Sequence, residues 1–491
     1  MPSTIEHILQ APESKTLEFK RDLSSPRNFL RTLVAFANTA GGRLVFGVDD
    51  QKNVIGIDQP LDEEERLCSL VADAIAPRLV PNIEFITVEG RTLLTAEVYL
   101  SGLRPHYIKA EGPENGVYIR LGSTNRVADR ELIAELRRSA EGISFDELPM
   151  PGLSTEELDL EAAKEMFGQE RSLGENELHT LKLVTRDQGK LVPTKGAILL
   201  FGKERERHFS DAWIQCGRFV GRDKADIFDH AELHDHLPRA VDNIMLFLKK
   251  HAMRGADFSE VRRRDVWNIP LGILREVVIN ALVHADYSQR GAPIRVAFFD
   301  DRIEVENPGM LLPGMTVEDM KQGISKIRNH VIARVFRELN LIEQWGSGMP
   351  RIFREARELG LPELEIVEIG TQVRVVVYLA EQVEVSVSSF QKNTTSYGQP
   401  ESQLESQLKS RLESQLKSRL AAKILFFLHK EESGKHGLAT KLGHKSVSGE
   451  LHKQIKRLLD LGFIEMTIPE KPKSRLQKYR LTDKGRRLLA E

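Results

Sequence analysis

The segment Glu276-Val277-Val278-Ile279-Asn280-Ala281-Leu282-Val283-His284 constrains this chain more than any other. It reads as one helix, and Glu276, Asn280 and His284, at i, i+4 and i+8, then project from nearly one face. Val277, Val278, Ile279, Leu282 and Val283 lie between them and can pack the other faces. A polar row on so apolar a helix needs partners once buried, because an unpaired amide or carboxylate is costly to desolvate. A hydrated divalent cation with phosphates would supply them: an amide oxygen suits a hard cation, and a carboxylate can polarise water.

The helix sits in a chain of 491 residues, too long for one core; the usual domain size predicts about three or four domains. With 41% hydrophobic and 29% charged residues the composition is that of a soluble globular protein. The net charge of −2 names no partner. Cys68 and Cys216 form neither metal-ligand spacing nor a disulfide framework, which fits a reducing cytosol. The N-terminus lacks a basic region followed by an apolar run, and no stretch approaches the roughly 18 apolar residues of a membrane span. A cytoplasmic location without membrane contact is expected.

Residues 1–147 alternate helix and strand patterns. Asn28–Asn38 reads as a helix with Phe29, Leu33 and Phe36 on one face, Thr39-Ala40-Gly41-Gly42 as a turn and Arg43–Val48 as a buried strand. Thr92–Leu100 and Gly116–Leu121 read as further strands, and residues 131–140 as a closing helix. Pro149, Pro151 and Gly152 mark a boundary. Residues 148–255 form a middle α/β region, with Gly196–Phe201 taken as a strand. Its histidines (His208, His230, His234, His236) lack metal spacing. Residues 256–380 form a second α/β unit: the helix around Glu276, strands at Ile294–Phe299, Arg302–Glu306 and Val373–Leu379, and helices between. Residues 381–422 are a polar linker containing a leucine at every fourth position from Leu404 to Leu420. That spacing drifts around a 3.6-residue helix instead of holding a seam, so a helical linker and a self-association helix both fit. Residues 423–491 are compact and basic. From position 401 on, 20 Lys and Arg stand against 11 Asp and Glu, which places a nucleic-acid partner at this end.

The Glu276–His284 segment resembles the first motif of the GHKL ATPases, the superfamily of gyrase, Hsp90, histidine kinases and MutL. The resemblance implies Glu276 as general base and Asn280 as the Mg²⁺ ligand, with His284 beside them. Asn307 and Gly309, in Glu304-Val305-Glu306-Asn307-Pro308-Gly309, stand where the family has Asp-x-Gly to read adenine; here Asn replaces Asp. Gly346 and Gly348 open a helix at Met349–Glu358, where small residues let backbone amides approach phosphate. Lys326 and Arg328 lie where a nucleotide lid would be. The likeness covers about 110 residues and is nearest to the RecG-like ATP-binding branch. No G-x-x-x-x-G-K-[ST] loop occurs, so no helicase is expected. ATP and Mg²⁺ are the implied cofactors.

Glu13-Ser14-Lys15-Thr16-Leu17-Glu18-Phe19-Lys20, then Ala35–Gly42, Gly47–Asp50 and Tyr118–Thr124, resemble the AlbA_2 or Schlafen domain across residues 10–130. In nuclease-active Schlafen proteins such acids form a metal site. The matching positions are Glu13, Glu18 and Asp49, which could hold Mg²⁺ or Mn²⁺ for phosphodiester hydrolysis. Lys20 and Arg120 would contact phosphate.

At the C-terminus a first helix (Lys423–Lys430), a second (Leu438–Gly443), a third ending near Leu461-Gly462 and a hairpin (Phe463–Thr467 with Gln477–Leu481) are similar to winged helix-turn-helix proteins. Lys445, Ser446, Ser448, His452 and Lys453 would meet DNA from the third helix, and Lys473, Arg475 and Lys478 from a basic wing. The expected fold class is thus multi-domain α/β (α+β): an AlbA_2/Schlafen-like domain, a GHKL (Bergerat-type) α/β sandwich and a C-terminal winged helix-turn-helix.

Two functions fit. One is an ATP-responsive, transcription-regulator-like protein that binds nucleic acid, DNA in preference to RNA, as a homo-oligomer. The other is an ATP-gated, metal-dependent nuclease of Schlafen type, acting in antiviral defence.

Overall fold

The computed structural model describes residues 5–168, 173–252, 254–257, 264–267, 269–342, 348–380, 419–430, 432–435, 438, 449–467, 470 and 477–490. The chain divides into two compact units, 1–386 and 387–491.

The first unit opens with a four-stranded sheet in the order Leu17–Lys20, Gly42–Phe46, Arg91–Val98, Asn82–Val88. The first two strands are parallel, with Leu17 opposite Arg43; the rest are antiparallel. Parallel neighbours need a crossover, and the helix Pro26–Asn38 provides it. Its Phe29, Leu33 and Phe36 are fully buried, as the spacing requires. Gly41 takes the turn at φ +77°, where an added Cβ would meet the Val98 carbonyl at 2.8 Å. A hairpin, Tyr118–Leu121 with Thr124–Val127, follows. The closing helix Arg130–Glu141 is capped by Asp129, which accepts from the Leu132 amide at 2.8 Å, and stops at left-handed Gly142.

A six-stranded sheet carries the rest of this unit, in the order Ile227–Leu233, Ile214–Phe219, Ile294–Phe298, Arg302–Pro308, Gln372–Tyr378, Glu365–Ile369. Ile214–Phe219 and Ile294–Phe298 run parallel and every other pair antiparallel. Strands from both sides of position 256 share this sheet, and one hydrophobic core runs from Leu158 to Leu379. The boundary expected at 255/256 therefore does not divide the sheet. Hydrogen bonding between Ile214–Phe219 and Ile294–Phe298 joins strands of the two regions that the sequence reading set apart as 148–255 and 256–380. Gly196–Phe201 is likewise no strand: Lys195–Phe201 is a buried helix, started by Thr194, whose hydroxyl accepts from the Ala197 amide at 3.2 Å. A short apolar run fits either element by pattern, and the capping residue decides it.

In the second unit the helices Arg419–Lys430 and Gly449–Asp460 pack on a hairpin, Ile464–Met466 with Tyr479–Leu481. Ile424, Leu425, Leu451, Ile455, Leu458 and Tyr479 form the core. A terminal helix, Asp483–Ala490, went unread in the sequence; Thr482 caps it by accepting from the Gly485 amide at 3.1 Å. The leucine repeat up to Leu416 lies outside the described residues, as do all of the expected second helix but Leu438, and Lys473 and Arg475 of the expected wing. No described helix is long and apolar enough to cross a membrane.

Candidate functional site

The helix Leu271–His284 is buried on most sides through Ile273, Leu274, Val277, Val278, Ile279 and Leu282. Its polar row opens instead onto a cavity of about 310 Å³. Glu276, Asn280 and His284 form one wall. Asn307, on the strand Arg302–Pro308, and Gly348, at the start of the helix Gly348–Glu358, add to it, as do Lys326 and Arg328. Seven residues singled out in the sequence thus meet in one place. Val305, Val373, Val375, Met310, Met315 and Ile324 supply apolar surface.

Within the cavity Asn280 donates to Glu276 Oε1 at 3.3 Å and lies 3.8 Å from Met349 Sδ. Glu276 Oε2 accepts from Arg351 at 3.0 Å. Gly348 lies so close that an added Cβ would stand 1.9 Å from Glu276 Oε1. Burial and, second, the charge of Arg328 push His284 down to about 4, so its imidazole is neutral near pH 7. Asn307 donates to the carbonyl of Pro308 at 3.1 Å.

Arg351 and Met349 were missed. Nothing in the local pattern sets Arg351 apart from Arg354 or Arg357 on the same helix. Asn329 was missed too: its amide donates to the carbonyls of Val283 at 2.8 Å and Ala285 at 2.7 Å, satisfying the open end of the site helix.

Two expected contacts have other roles. Arg328 donates to Glu135 of the helix Arg130–Glu141 and to the Met310 carbonyl, so it bridges to the N-terminal part of the unit. Gly309 is not in the wall. It holds φ +104°, and an added Cβ would meet Asp286 Cβ at 2.9 Å and Arg328 Cζ at 3.1 Å, which makes it a point of close packing. Gly346 lies outside the described residues.

The N-terminal acids do not converge. Among the described residues no three His, Cys, Asp or Glu side chains are placed to hold a metal. Glu13 accepts from the Phe19 amide at 3.0 Å. Glu18 is buried between Lys20, at 2.5 Å, and Arg120. Asp49 is half-buried and closes its own turn, accepting from the Asn53 side chain at 3.0 Å, the Asn53 amide at 2.7 Å and the Gln51 amide at 3.0 Å; these bonds, Asn53's side chain first, lower its pKa. Arg120 is 1% exposed. It donates to Glu18, to the Ser14 carbonyl at 3.1 Å and to Asn125 at 3.0 Å, and its guanidinium lies over the Phe36 ring. It is a buried clasp, unavailable to phosphate as the fold stands. Lys20 is spent on Glu18 in the same way.

In the second unit Lys453 and Lys478 are exposed, Lys453 on the helix Gly449–Asp460 and Lys478 beside the hairpin. Lys445, Ser446, Ser448, Lys473, Arg475 and the His452 side chain lie outside the described residues.

Comparison with known families gives three matches. Residues 13–129 match the Schlafen, AlbA_2 family. Residues 291–377 match HATPase_c_4, whose description reads "Putative ATP-dependent DNA helicase recG C-terminal". Residues 421–482 match the C-terminal domain of Filamentation induced by cAMP (Fic-like) proteins. The fold and matches together define a multi-domain α/β protein carrying an AlbA_2 domain and a RecG-like HATPase_c_4 domain. The HATPase_c_4 match begins beyond His284, so the polar row rests on its own geometry.

No curated protein matches the chain. Among solved structures, the DIP2311 protein of Corynebacterium diphtheriae is 18% identical, covers 99% of this chain and 98% of its own, and gives a TM-score of 0.41. The N-terminal domain of a RecG-related protein from Nitrosomonas europaea is 29% identical over 26% of this chain and 92% of its own, with a TM-score of 0.21.

Proposed function

We propose that this chain is an ATP- and nucleic-acid-binding regulator, with nucleotide held in the 310 Å³ cavity and nucleic acid met by the basic second unit. The observation that carries the reading is the convergence of Glu276, Asn280, Asn307 and Gly348, from three elements, on one cavity with apolar walls. Its volume lies at the low end of ligand pockets, about 300–1,000 Å³.

The residues fit a Mg-nucleotide. Asn280 offers an amide oxygen to a hard cation. Glu276 is the carboxylate placed to polarise water, and its ion pair with Arg351 holds its position. Neutral His284 can donate or accept a hydrogen bond. Val305, Val373 and Val375 give a base an apolar seat, and Asn307 presents both donor and acceptor to its edge. Bound Mg²⁺ would supply charge to offset the phosphates.

The excess of Lys and Arg after position 401, with Lys453 and Lys478 exposed, supports nucleic-acid binding by the second unit. Its two described helices and hairpin are consistent with a winged helix, and DNA is the preferred partner.

The test is nucleotide titration of the wild type beside Asn280→Ala with Mg²⁺ present. Loss of binding supports the site; unchanged affinity overturns it. Labelled DNA and RNA incubated with Mg²⁺ or Mn²⁺, with and without ATP, then separates regulator from nuclease. Binding that weakens steeply with salt and leaves the strand intact supports the regulator. Cleavage that Asp49→Asn abolishes overturns it.

A further inference from the structure

A second cavity, of about 380 Å³, lies against the helix Arg130–Glu141 and shares Leu312, Lys326, Ile327 and Arg328 with the first. Its charges do not balance. Of its two carboxylates, Glu135 pairs with Arg328, and Asp286 accepts from Ser288 at 2.5 Å and Gln289 at 3.2 Å. His330 pairs with Glu147 at 3.4 Å.

Arg104, Arg138 and Lys326 remain. Among the described residues none of the three has a carboxylate within ion-pair distance. Arg104 donates to the Ser101 carbonyl at 2.6 Å and the Ser139 hydroxyl at 2.7 Å, while its Nε is buried without an acceptor. Lys326 donates to the Pro313 carbonyl at 2.8 Å. Arg138 lies 5.4 Å over the Phe145 ring. Burial lowers the pKa of both Arg104 and Lys326, and Arg104 further lowers that of Lys326, against an opposing effect of Asp319. Arg104 and Arg138 are half-buried and Lys326 is exposed at the rim; Glu135, already paired with Arg328, also acts on Arg138 from beyond ion-pair distance. Guanidinium groups partly withdrawn from water with no carboxylate of their own in ion-pair distance are costly unless an anion joins them.

We propose that this cavity is a second ligand site, for a small phosphate-bearing anion held by Arg104, Arg138 and Lys326. Three cations suit a dianion or polyanion better than a single carboxylate, which one guanidinium could satisfy. The phosphate can come from a free small molecule or from the tail of a nucleotide seated next door. Through the shared Lys326 and Arg328, filling either cavity bears on the other. The charge imbalance stands whatever fills the first cavity.

The experiment uses the full chain and inorganic pyrophosphate, followed by calorimetry, with wild type, Arg104→Gln, Arg138→Gln and Asn280→Ala. Wild type binds, and each arginine substitution weakens binding about tenfold or more, the size of a lost charge-assisted hydrogen bond. Asn280→Ala keeps the pyrophosphate response. No binding by wild type, a loss under about twofold in both arginine variants, or a response that vanishes with Asn280→Ala overturns the proposal. Should Arg104→Gln fail to fold, the half-buried Arg138→Gln decides alone. Saturating ATP identifies the source: pyrophosphate that still binds marks a separate small molecule, and displacement that needs Arg104 marks the nucleotide's own tail. Intact nucleotide affinity in Asn280→Ala would sink the first site while leaving this one to its arginines.

Discussion

Glu18 and Glu276 make the central comparison. Each is a glutamate sheltered from water beside an arginine, Arg120 in one case and Arg351 in the other. At Glu18 the surroundings close: Arg120 is 1% exposed and shares its donors among a carboxylate, a carbonyl and an amide. At Glu276 they stay open, with glutamate, Asn280 and His284 all facing a cavity. A buried charge answered by the protein's own groups speaks for structure; one that faces a cavity speaks for a ligand. By that criterion the acidic cluster reads as a fold element and the helix row as a site.

The largest effect should come from the closed cluster. Glu18→Ala leaves Arg120 buried without its carboxylate and should lower stability by about 3–5 kcal/mol, read by equilibrium denaturation. A loss below about 1 kcal/mol would break the comparison, since Arg120 would then have another answer. Asn280→Ala, at the open site, should leave the unfolding midpoint nearly unmoved while nucleotide affinity falls by about tenfold or more. If stability fell instead, the polar row would be structural like Glu18.

Gly348→Ala sharpens the open side. The new Cβ would force Glu276 away from its place beside Arg351. Its cost should be about 1–3 kcal/mol, as for overpacking, with weaker nucleotide binding; a variant that binds as wild type would show that Glu276 need not hold that position.

The smallest effect concerns Glu147 and His330, near the second cavity. The hydrogen bond from His330 is the first cause lowering Glu147, and Glu147 is the first cause raising His330. The raised histidine contributes stability fully present below its ordinary 6.5 and lost as pH rises through the folded value. The depressed glutamate contributes stability present above its ordinary 4.5 and lost as pH falls. The pair therefore helps most between about 4.5 and 6.5. His330→Asn should lower the unfolding free energy across that window by less than about 1 kcal/mol, because the ring is half exposed, and so flatten the pH profile of stability. An unchanged pH profile would remove this ion pair from the account.

Much was legible locally. Phe29, Leu33 and Phe36 repeat at helical spacing and are buried; Gly41 turns where a Thr-Ala-Gly-Gly sequence says it should. The Glu276, Asn280, His284 row was legible because i, i+4, i+8 is a property of any helix. Asn307 and Gly348 were found by resemblance, and the cavity contains both. Arg351 was not legible, since one helix carries several arginines and only packing selects which meets Glu276. Nor was the extent of the large sheet, because pairing between Ile214–Phe219 and Ile294–Phe298 joins segments far apart in sequence.

The sequence by itself therefore determined the helices, turns and polar row, which depend on neighbours within a few residues. It also determined the basic bias of the C-terminal stretch, a sum that folding cannot alter. Only the tertiary structure decided how each charged group is spent: Glu18 on Arg120, Arg328 on Glu135, Lys15 on Glu368 at 2.8 Å, and Glu276 beside an open cavity. Those partners lie up to hundreds of residues apart. Whether a charge is neutralised by the fold or left facing a cavity depends on which surfaces the core brings together.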